Sequence, residues 1–294
     1  MYRCGYVALV GRPNAGKSTL INAIVGEKVS IVSQKAGTTR DKIMGIYNSS
    51  ESQIVFLDTP GLLKPKNKLD EYMLTSINAS LDNIDCILFV VDISKGVTQE
   101  DINLIESYKN VPLIVVINKI DKLKREALFE ALNKLNNIDV SAIVPVSAYK
   151  KQNIKELITE IEKYLTDSIK YFDDDEYTDK SLNFQISELI REKTLWFLNE
   201  EVPLSIAIEL LDVNLNSNVA SISANIICEK ESHKKIIVGT KGNMIKNIGS
   251  QCRTALEKMI GKKVYLELFV KVKENWKSEE TLLNNLGYNK KIIN

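Results

Sequence analysis

Through the first half of the chain, short runs of β-branched and aliphatic residues alternate with longer stretches whose apolar positions recur every three or four residues. Residues 6–10, 54–57, 87–92, 113–117 and 143–145 are continuously apolar, apart from the closing Asp92, rather than in alternation. A strand buried on both faces reads that way, as in a parallel sheet covered by helices. Between them, 18–25, 69–84, 98–108, 125–135 and 153–165 carry the helical period. Strands and helices taken in turn predict a doubly wound, mostly parallel α/β domain.

The pattern breaks at an acidic run, Asp173, Asp174, Asp175 and Glu176, predicted to be a solvated linker. A helix over 181–198 restarts the fold. Strands over 204–211 and 219–228 follow, then a basic stretch, a helix near 244–260 and a strand over 264–272. This is an α+β unit unlike the first half, and 279–286 reads as an amphipathic helix covering its sheet. The expected boundaries are 1–168 for the first domain, 169–180 for the linker and 181–294 for the second domain.

A length of 294 residues allows each domain its own core. The four cysteines, Cys4, Cys86, Cys228 and Cys252, lie far apart without CxxC spacing, so reduced thiols are expected rather than a disulfide framework or zinc site. The first ten residues lack a signal-peptide layout, and no apolar run approaches the roughly 18 residues of a membrane span. A cytosolic protein is expected. His233 is the only histidine, which excludes His-based triads and zinc chemistry; a surface position is expected for it, and packing roles for Trp196 and Trp276.

Chemistry concentrates where strands end. Gly11, Arg12, Pro13, Asn14, Ala15, Gly16, Lys17 and Ser18, followed by Thr19, match GxxxxGK[ST] between a strand and a helix. Backbone N–H groups there can surround a β-phosphate, Lys17 can reach the β/γ oxygens and Ser18 can ligate Mg²⁺. Asp58, Thr59, Pro60 and Gly61 follow the next buried strand, with the acid placed for a Mg²⁺-bound water and the Gly61 N–H for a γ-phosphate. Asn118, Lys119 and Asp121 follow the strand at 113–117. Asp121 can accept from guanine N1–H and its 2-amino group, which adenine cannot offer. Ser147, Ala148 and Tyr149 then suit the loop whose backbone meets guanine O6. Four such motifs in order resemble the P-loop GTPase family, and the resemblance implies GTP/GDP as ligand with Mg²⁺.

Gly37, Thr38, Thr39, Arg40 and Asp41 fall where that family's first switch segment sits, with Thr39 rather than Thr38 as the expected Mg²⁺ ligand. Phosphoryl transfer needs positioning and charge neutralisation, so Lys17, Thr39, Gly61 and Asn14 are the candidate catalytic set and Ser18, Thr39 and Asp58 the candidate metal set. Leu62 stands where Ras-type members carry a water-orienting glutamine. Asn14 resembles the asparagine that helps hold K⁺ in related bacterial GTPases, implying K⁺-stimulated hydrolysis.

Between Lys230 and Lys263 there are nine Lys/Arg and two acids, a surplus of seven in a chain whose net charge is +1. Localised charge of this kind is an electrostatic footprint for phosphates. Within it, 236–249 follows I-x-G-x-x-G-x-x-I-x-x-I and resembles the KH module, in its second topology. Gly239 and Gly242 bracket a turn that brings the backbone against a nucleotide strand. Thr240, Lys241, Lys235, Lys246 and Arg253 are candidates for its phosphates, and Ile237, Ile245 and Ile248 for its apolar side.

An α/β P-loop GTPase followed by an α+β type II KH domain, with Leu after DTPG and a TTRD switch, resembles the Era family across essentially the whole chain. Residues 192–193 and 201–203 and the strand at 206–209 look like that family's entry into the KH domain. The resemblance implies binding to the single-stranded 3′ end of small-subunit rRNA, action on the 30S ribosomal subunit precursor, peripheral association with the inner face of the bacterial membrane, and a monomer. It also implies that GTP couples the two domains. Two alternatives are an RNA-binding scaffold that barely hydrolyses GTP, and a tRNA-modifying or ribosome-docking GTPase with another appended domain. The loop 147–153 lacks the glycine usual in the family's last motif.

Overall fold

The computed structural model describes residues 2–289 apart from 34, 36, 62–64, 82, 109, 110, 123, 124, 137, 200 and 201; Leu62 therefore lies outside the described residues. The chain separates into two compact units, the second of which takes in Pro65–Tyr72 as well as the chain from Lys180 on.

In the first unit, β1 (Arg3–Val10), β3 (Ser52–Asp58), β4 (Cys86–Asp92), β5 (Leu113–Asn118) and β6 (Ala142–Pro145) coincide with the apolar runs. With β2 (Ile43–Asn48) they form one sheet in the order β2-β3-β1-β4-β5-β6, parallel except for the β2–β3 pair. Helices α1 (Lys17–Val25), α3 (Gln99–Ser107) and α4 (Arg125–Leu135) connect its strands and α5 (Ile154–Ile161) follows the last; of α2 (Lys68–Ala79) the residues from Met73 on belong to this unit. One sheet face, carrying Phe89, Val91, Val115 and Ile117, buries itself with Ile105 of α3 and Ala131 and Leu135 of α4. The chain leaves β1 toward β3 on one side and β4 on the other, so the topological switch point lies at the end of β1.

The acidic stretch departs from a free linker. The side chains of Asp173 to Glu176 are exposed, but the backbone lies along the outer edge of the sheet. Ile46 N–H donates to Tyr177 O at 3.0 Å, Gly45 pairs with Thr178 as an antiparallel bridge, and Met44 N–H donates to Asp179 Oδ1 at 2.9 Å. Gln53, fully buried, accepts from the Tyr171 N–H at 2.7 Å and donates to Phe172 O at 2.8 Å. An edge strand exposes unpaired backbone groups, and this segment satisfies those of β2.

In the second unit, α6 (Leu182–Phe197) starts at Ser181, whose hydroxyl accepts from the Phe184 N–H. The expected strand at 204–211 is displaced: a 3-10 turn occupies Val202–Ser205 and β7 runs over Ala207–Asn214. β7 pairs antiparallel with β8 (Val219–Cys228), which pairs in parallel with β9 (Lys263–Val272). Between β8 and β9 lie α7 (Glu231–Val238) and α8 (Asn243–Ile260), and α9 (Glu280–Asn285) follows. Helix, two strands, two helices, strand is the order expected of the second KH topology.

Two expectations are corrected here. His233 is buried, not on the surface, with Nδ1 2.8 Å from the Ser205 hydroxyl. That hydroxyl also donates to Val202 O at 2.8 Å, so His233 Nδ1 carries the proton. Trp276 packs as expected, its indole N–H on Ser205 O at 2.9 Å, whereas Trp196 is 54% exposed, with the Lys193 ammonium 3.3 Å from its ring centre. Glu188–Leu195 are buried all round the helix, so Trp196 stands where α6 emerges toward solvent, and the lysine shields the indole.

Candidate functional site

The motif residues meet at the C-terminal ends of β1, β3, β5 and β6, beside the switch point where open α/β sheets place ligands. The loop from Gly11 to Gly16 leaves no room for side chains at its ends. A Cβ on Gly11 would sit 2.4 Å from Val90 O, and one on Gly16 2.3 Å from Asn118 Nδ2. Both glycines have positive φ, and Asn14 adopts φ +64° between them. Gly16 starts α1 without a side-chain cap. The helix's first N–H groups are thereby left for an anion.

Lys17 is buried, its ammonium 3.0 Å from Gly11 O. Burial pushes its pKa down to about 8, against the opposing attraction of Asp58. Arg12 gives the loop its backbone and turns its side chain to α3: the guanidinium makes a two-toothed ion pair with Asp101, Nε to Oδ1 and Nη2 to Oδ2 both at 2.8 Å. Asp101 also completes a capping box with Thr98 at the start of that helix.

Asp58 is fully buried and gathers hydroxyls. Its Oδ2 accepts from Ser18 at 2.7 Å, Ser30 at 2.8 Å and Thr39 at 3.4 Å, and the Ser18 and Thr39 hydroxyls are 2.9 Å apart. Its Oδ1, equally buried, has no partner among the described residues. Burial raises the Asp58 carboxyl above the ordinary carboxylate range, and the three hydroxyls and Lys17 oppose that shift only in part. A carboxylate with an unused buried oxygen beside two hydroxyls is a hard oxygen donor set, which fits Mg²⁺. Thr38 is not part of it; its hydroxyl donates to Lys35 O at 2.6 Å. Ser30 had no motif to reveal it. Thr59 ties its loop to β1 through a 2.6 Å bond to Leu9 O, and Gly61 lies so close to the phosphate loop that a Cβ would meet Pro13 Cα at 2.9 Å. Pro60 is buried beside them.

The base side is equally connected. Asn118 Nδ2 donates to Ala15 O at 3.0 Å, and its Oδ1 accepts from Ala148 N–H at 3.1 Å, joining three motifs through one amide. Lys119 Nζ donates to Asn14 O at 2.7 Å. Ser147 donates to Asp121 Oδ1 at 2.5 Å. The missing glycine is replaced by Lys151 and Asn153, at φ +54° and +57°, with Asn153 Nδ2 on Pro145 O and a Ser147–Gln152 backbone pair closing the loop. Tyr149 is exposed on its outside.

In the second unit Gly239, Lys241 and Gly242 all have positive φ, at +72°, +52° and +76°. A Cβ on Gly239 would strike Met244 Cβ at 2.6 Å; one on Gly242 would meet nothing within 4 Å. Like α1, α8 starts at a left-handed glycine without a side-chain cap. Lys235, Thr240, Lys241 and Lys246 are exposed around the turn, Arg253 is exposed further along α8, and Ile245 is half-buried. Ile237, a candidate contact residue, is fully buried instead, as is Ile248, so both belong to the core beneath the turn.

Among the described residues no helix is long and apolar enough to cross a membrane. Comparison with known proteins matches a family model described as a 50S ribosome-binding GTPase to residues 6–119 and a KH domain model to residues 201–277. The chain is 45% identical to the GTPase Era of Clostridioides difficile, over 99% of this chain and all of the relative, and 44% identical to that of Clostridium kluyveri, over 98% and 100%. Among solved structures it resembles an Aquifex aeolicus Era variant bound to GDP and aluminium fluoride, at 40% identity and a TM-score of 0.93, covering 97% of this chain and 99% of that one. Era in complex with MgGDPNP and nucleotides 1506–1542 of 16S ribosomal RNA matches at the same identity and TM-score, over 98% and 99%. With a P-loop GTPase domain, a KH domain and this identity over nearly its full length, the chain belongs to the Era family of GTPases.

Proposed function

We propose that the protein is a GTP-hydrolysing switch whose KH unit grips the single-stranded 3′ end of 16S rRNA during assembly of the 30S subunit. The observation that carries the hydrolytic part is the convergence of Ser18, Thr39 and Asp58 beside the buried ammonium of Lys17. Residues 11–19 bind the phosphates through backbone N–H groups and Lys17; Asn118, Lys119, Asp121 and the 147–149 loop hold guanine. Ser18, Thr39 and the buried oxygen of Asp58 unpartnered among the described residues would hold Mg²⁺, which when bound neutralises charge on the β- and γ-phosphates. The Gly61 N–H reports the γ-phosphate. Asn14, in its left-handed conformation, is the candidate K⁺ ligand, and matched KCl and NaCl rates test it; equality removes the role.

The RNA part rests on the exposed cations around the uncapped N-terminus of α8 and on the 16S complex of the related Era. Residues 1–168 and 181–294 are the functional domains, with 169–180 as the connection. Peripheral association with the inner membrane face belongs to the same reading, and co-sedimentation with anionic vesicles tests it. Guanine specificity is tested by Asp121→Asn, whose amide can donate where xanthine offers a carbonyl. Loss of GDP binding with gain of xanthosine diphosphate supports the assignment; unchanged preference for GDP overturns it.

A further inference from the structure

Asp92 belongs to none of the nucleotide motifs, yet it ends β4 directly beside Asn118, its register partner on β5. It is 5% exposed and its two oxygens are divided between two tasks. Oδ1 accepts from the Ser94 N–H at 3.0 Å and the Ser94 hydroxyl at 2.6 Å, which caps the 3-10 turn Ile93–Lys95 and fixes the carboxylate plane. Oδ2 is left to the Lys119 ammonium at 2.5 Å. Burial alone would raise this carboxyl; Lys119 and Ser94 more than reverse that and hold it below the ordinary range.

Lys119 needs such a partner. Its backbone is left-handed, at φ +69°, a conformation an L-residue keeps only when its surroundings impose it. Its ammonium has a second partner, Asn14 O, in the phosphate loop. With one partner the four-carbon stem could swing about that contact. With two, from β4 and from the phosphate loop, it is held beside Gly16, whose Cβ position lies 3.7 Å from Lys119 Cε.

We propose that Asp92 is a positioning residue for nucleotide binding: it fixes the Lys119 side chain as the cover of the guanine plane and, through it, clamps the base loop to the phosphate loop. The inference rests on the guanine-nucleotide reading above. Asp92 touches no ligand itself and acts only through Lys119, so its contribution vanishes when Lys119 is gone.

The test is a double-mutant cycle on the dissociation of fluorescent GDP, with wild type, Asp92→Asn, Lys119→Ala and the double variant. Asp92→Asn is expected to speed dissociation about tenfold, the scale of losing the charge in a buried hydrogen-bonded pair. In the Lys119→Ala background the same change should add nothing. The KM for GTP should rise more than kcat falls, a split that a general loosening of the fold does not produce. If Asp92→Asn does not fold, Ser94→Ala, which lets the carboxylate turn away from Lys119, takes its place with the same expectations. Dissociation at the wild-type rate, or effects that multiply in the double variant, overturn the proposal. Failure of the wild-type protein to hold GDP at all would instead remove the reading on which it stands.

Discussion

The Thr39 hydroxyl lies 2.9 Å from the Ser18 hydroxyl, although the two residues belong to different segments joined only through the loop between them. Both also reach Asp58 Oδ2, so three separated motifs share one point. Thr38, the neighbour with identical chemistry, spends its hydroxyl on Lys35 O. Thr39→Ala is therefore expected to lower Mg²⁺-dependent single-turnover GTP hydrolysis by roughly 10²-fold, the scale of removing one preorganised electrostatic contact. Thr38→Ala should stay within a few-fold of wild type. Equal losses in the two variants would show that the hydroxyl pairing does not select the residue.

Much of this was legible in the sequence because strand-end motifs carry their own context. The apolar runs located five strands of the first sheet, and their order put the phosphate loop, Asp58 and Asn118 at one edge. β2 was missed: its sequence IMGIYN is short, interrupted by Gly45, and alternates only weakly, since its burial is set by α1 and by the acidic segment laid along it. That docking was also invisible, because it uses backbone groups between residues 171 and 178, the amides of Gln53 and Asn48 and the Asp179 carboxylate, none of which shows as a periodic signal. His233 was misplaced for a related reason. Nothing local in ESHKKIIV states that one turn of α7 faces Ser205. Nor does the motif say where the Arg12 side chain goes; only the position of α3 reveals its commitment to Asp101.

The buried ammonium of Lys17 makes binding pH-dependent. Its folded pKa of about 8 lies below the ordinary 10.5, so between those values the unfolded chain holds more protons. Stability of the nucleotide-free protein therefore gains from this group as pH rises from about 8 to 10.5, and pays a constant cost below that window. Phosphate restores the charge, so nucleotide binding takes up a proton above about pH 8. GDP affinity should fall there by up to about tenfold per pH unit. Calorimetry in buffers of different ionisation enthalpy checks the uptake, and Lys17→Ala should bind weakly without that slope.

The two glycines of the KH turn should behave differently. Gly239→Ala puts a methyl group against Met244 as well as straining a φ of +72°, so both folding of the turn and RNA binding should suffer. The Cβ of Gly242→Asp meets no atom within 4 Å, and its backbone strain is about 1–2 kcal/mol. It should fold, with a thermal midpoint a few degrees lower, yet lose most affinity for single-stranded RNA because a carboxylate then faces the phosphates. A Gly242→Asp protein that binds RNA like wild type would move the RNA contact away from the turn.

The most direct test of the account is GTP hydrolysis in KCl with and without a short single-stranded RNA from the 3′ end of 16S rRNA, using Lys17→Ala as the blank. A coupled switch hydrolyses GTP above the blank, runs faster with RNA, and loses that increase in Gly242→Asp while the RNA-free rate is retained. A rate indistinguishable from the blank would contradict the GTPase assignment. Hydrolysis indifferent to RNA would contradict the coupled switch.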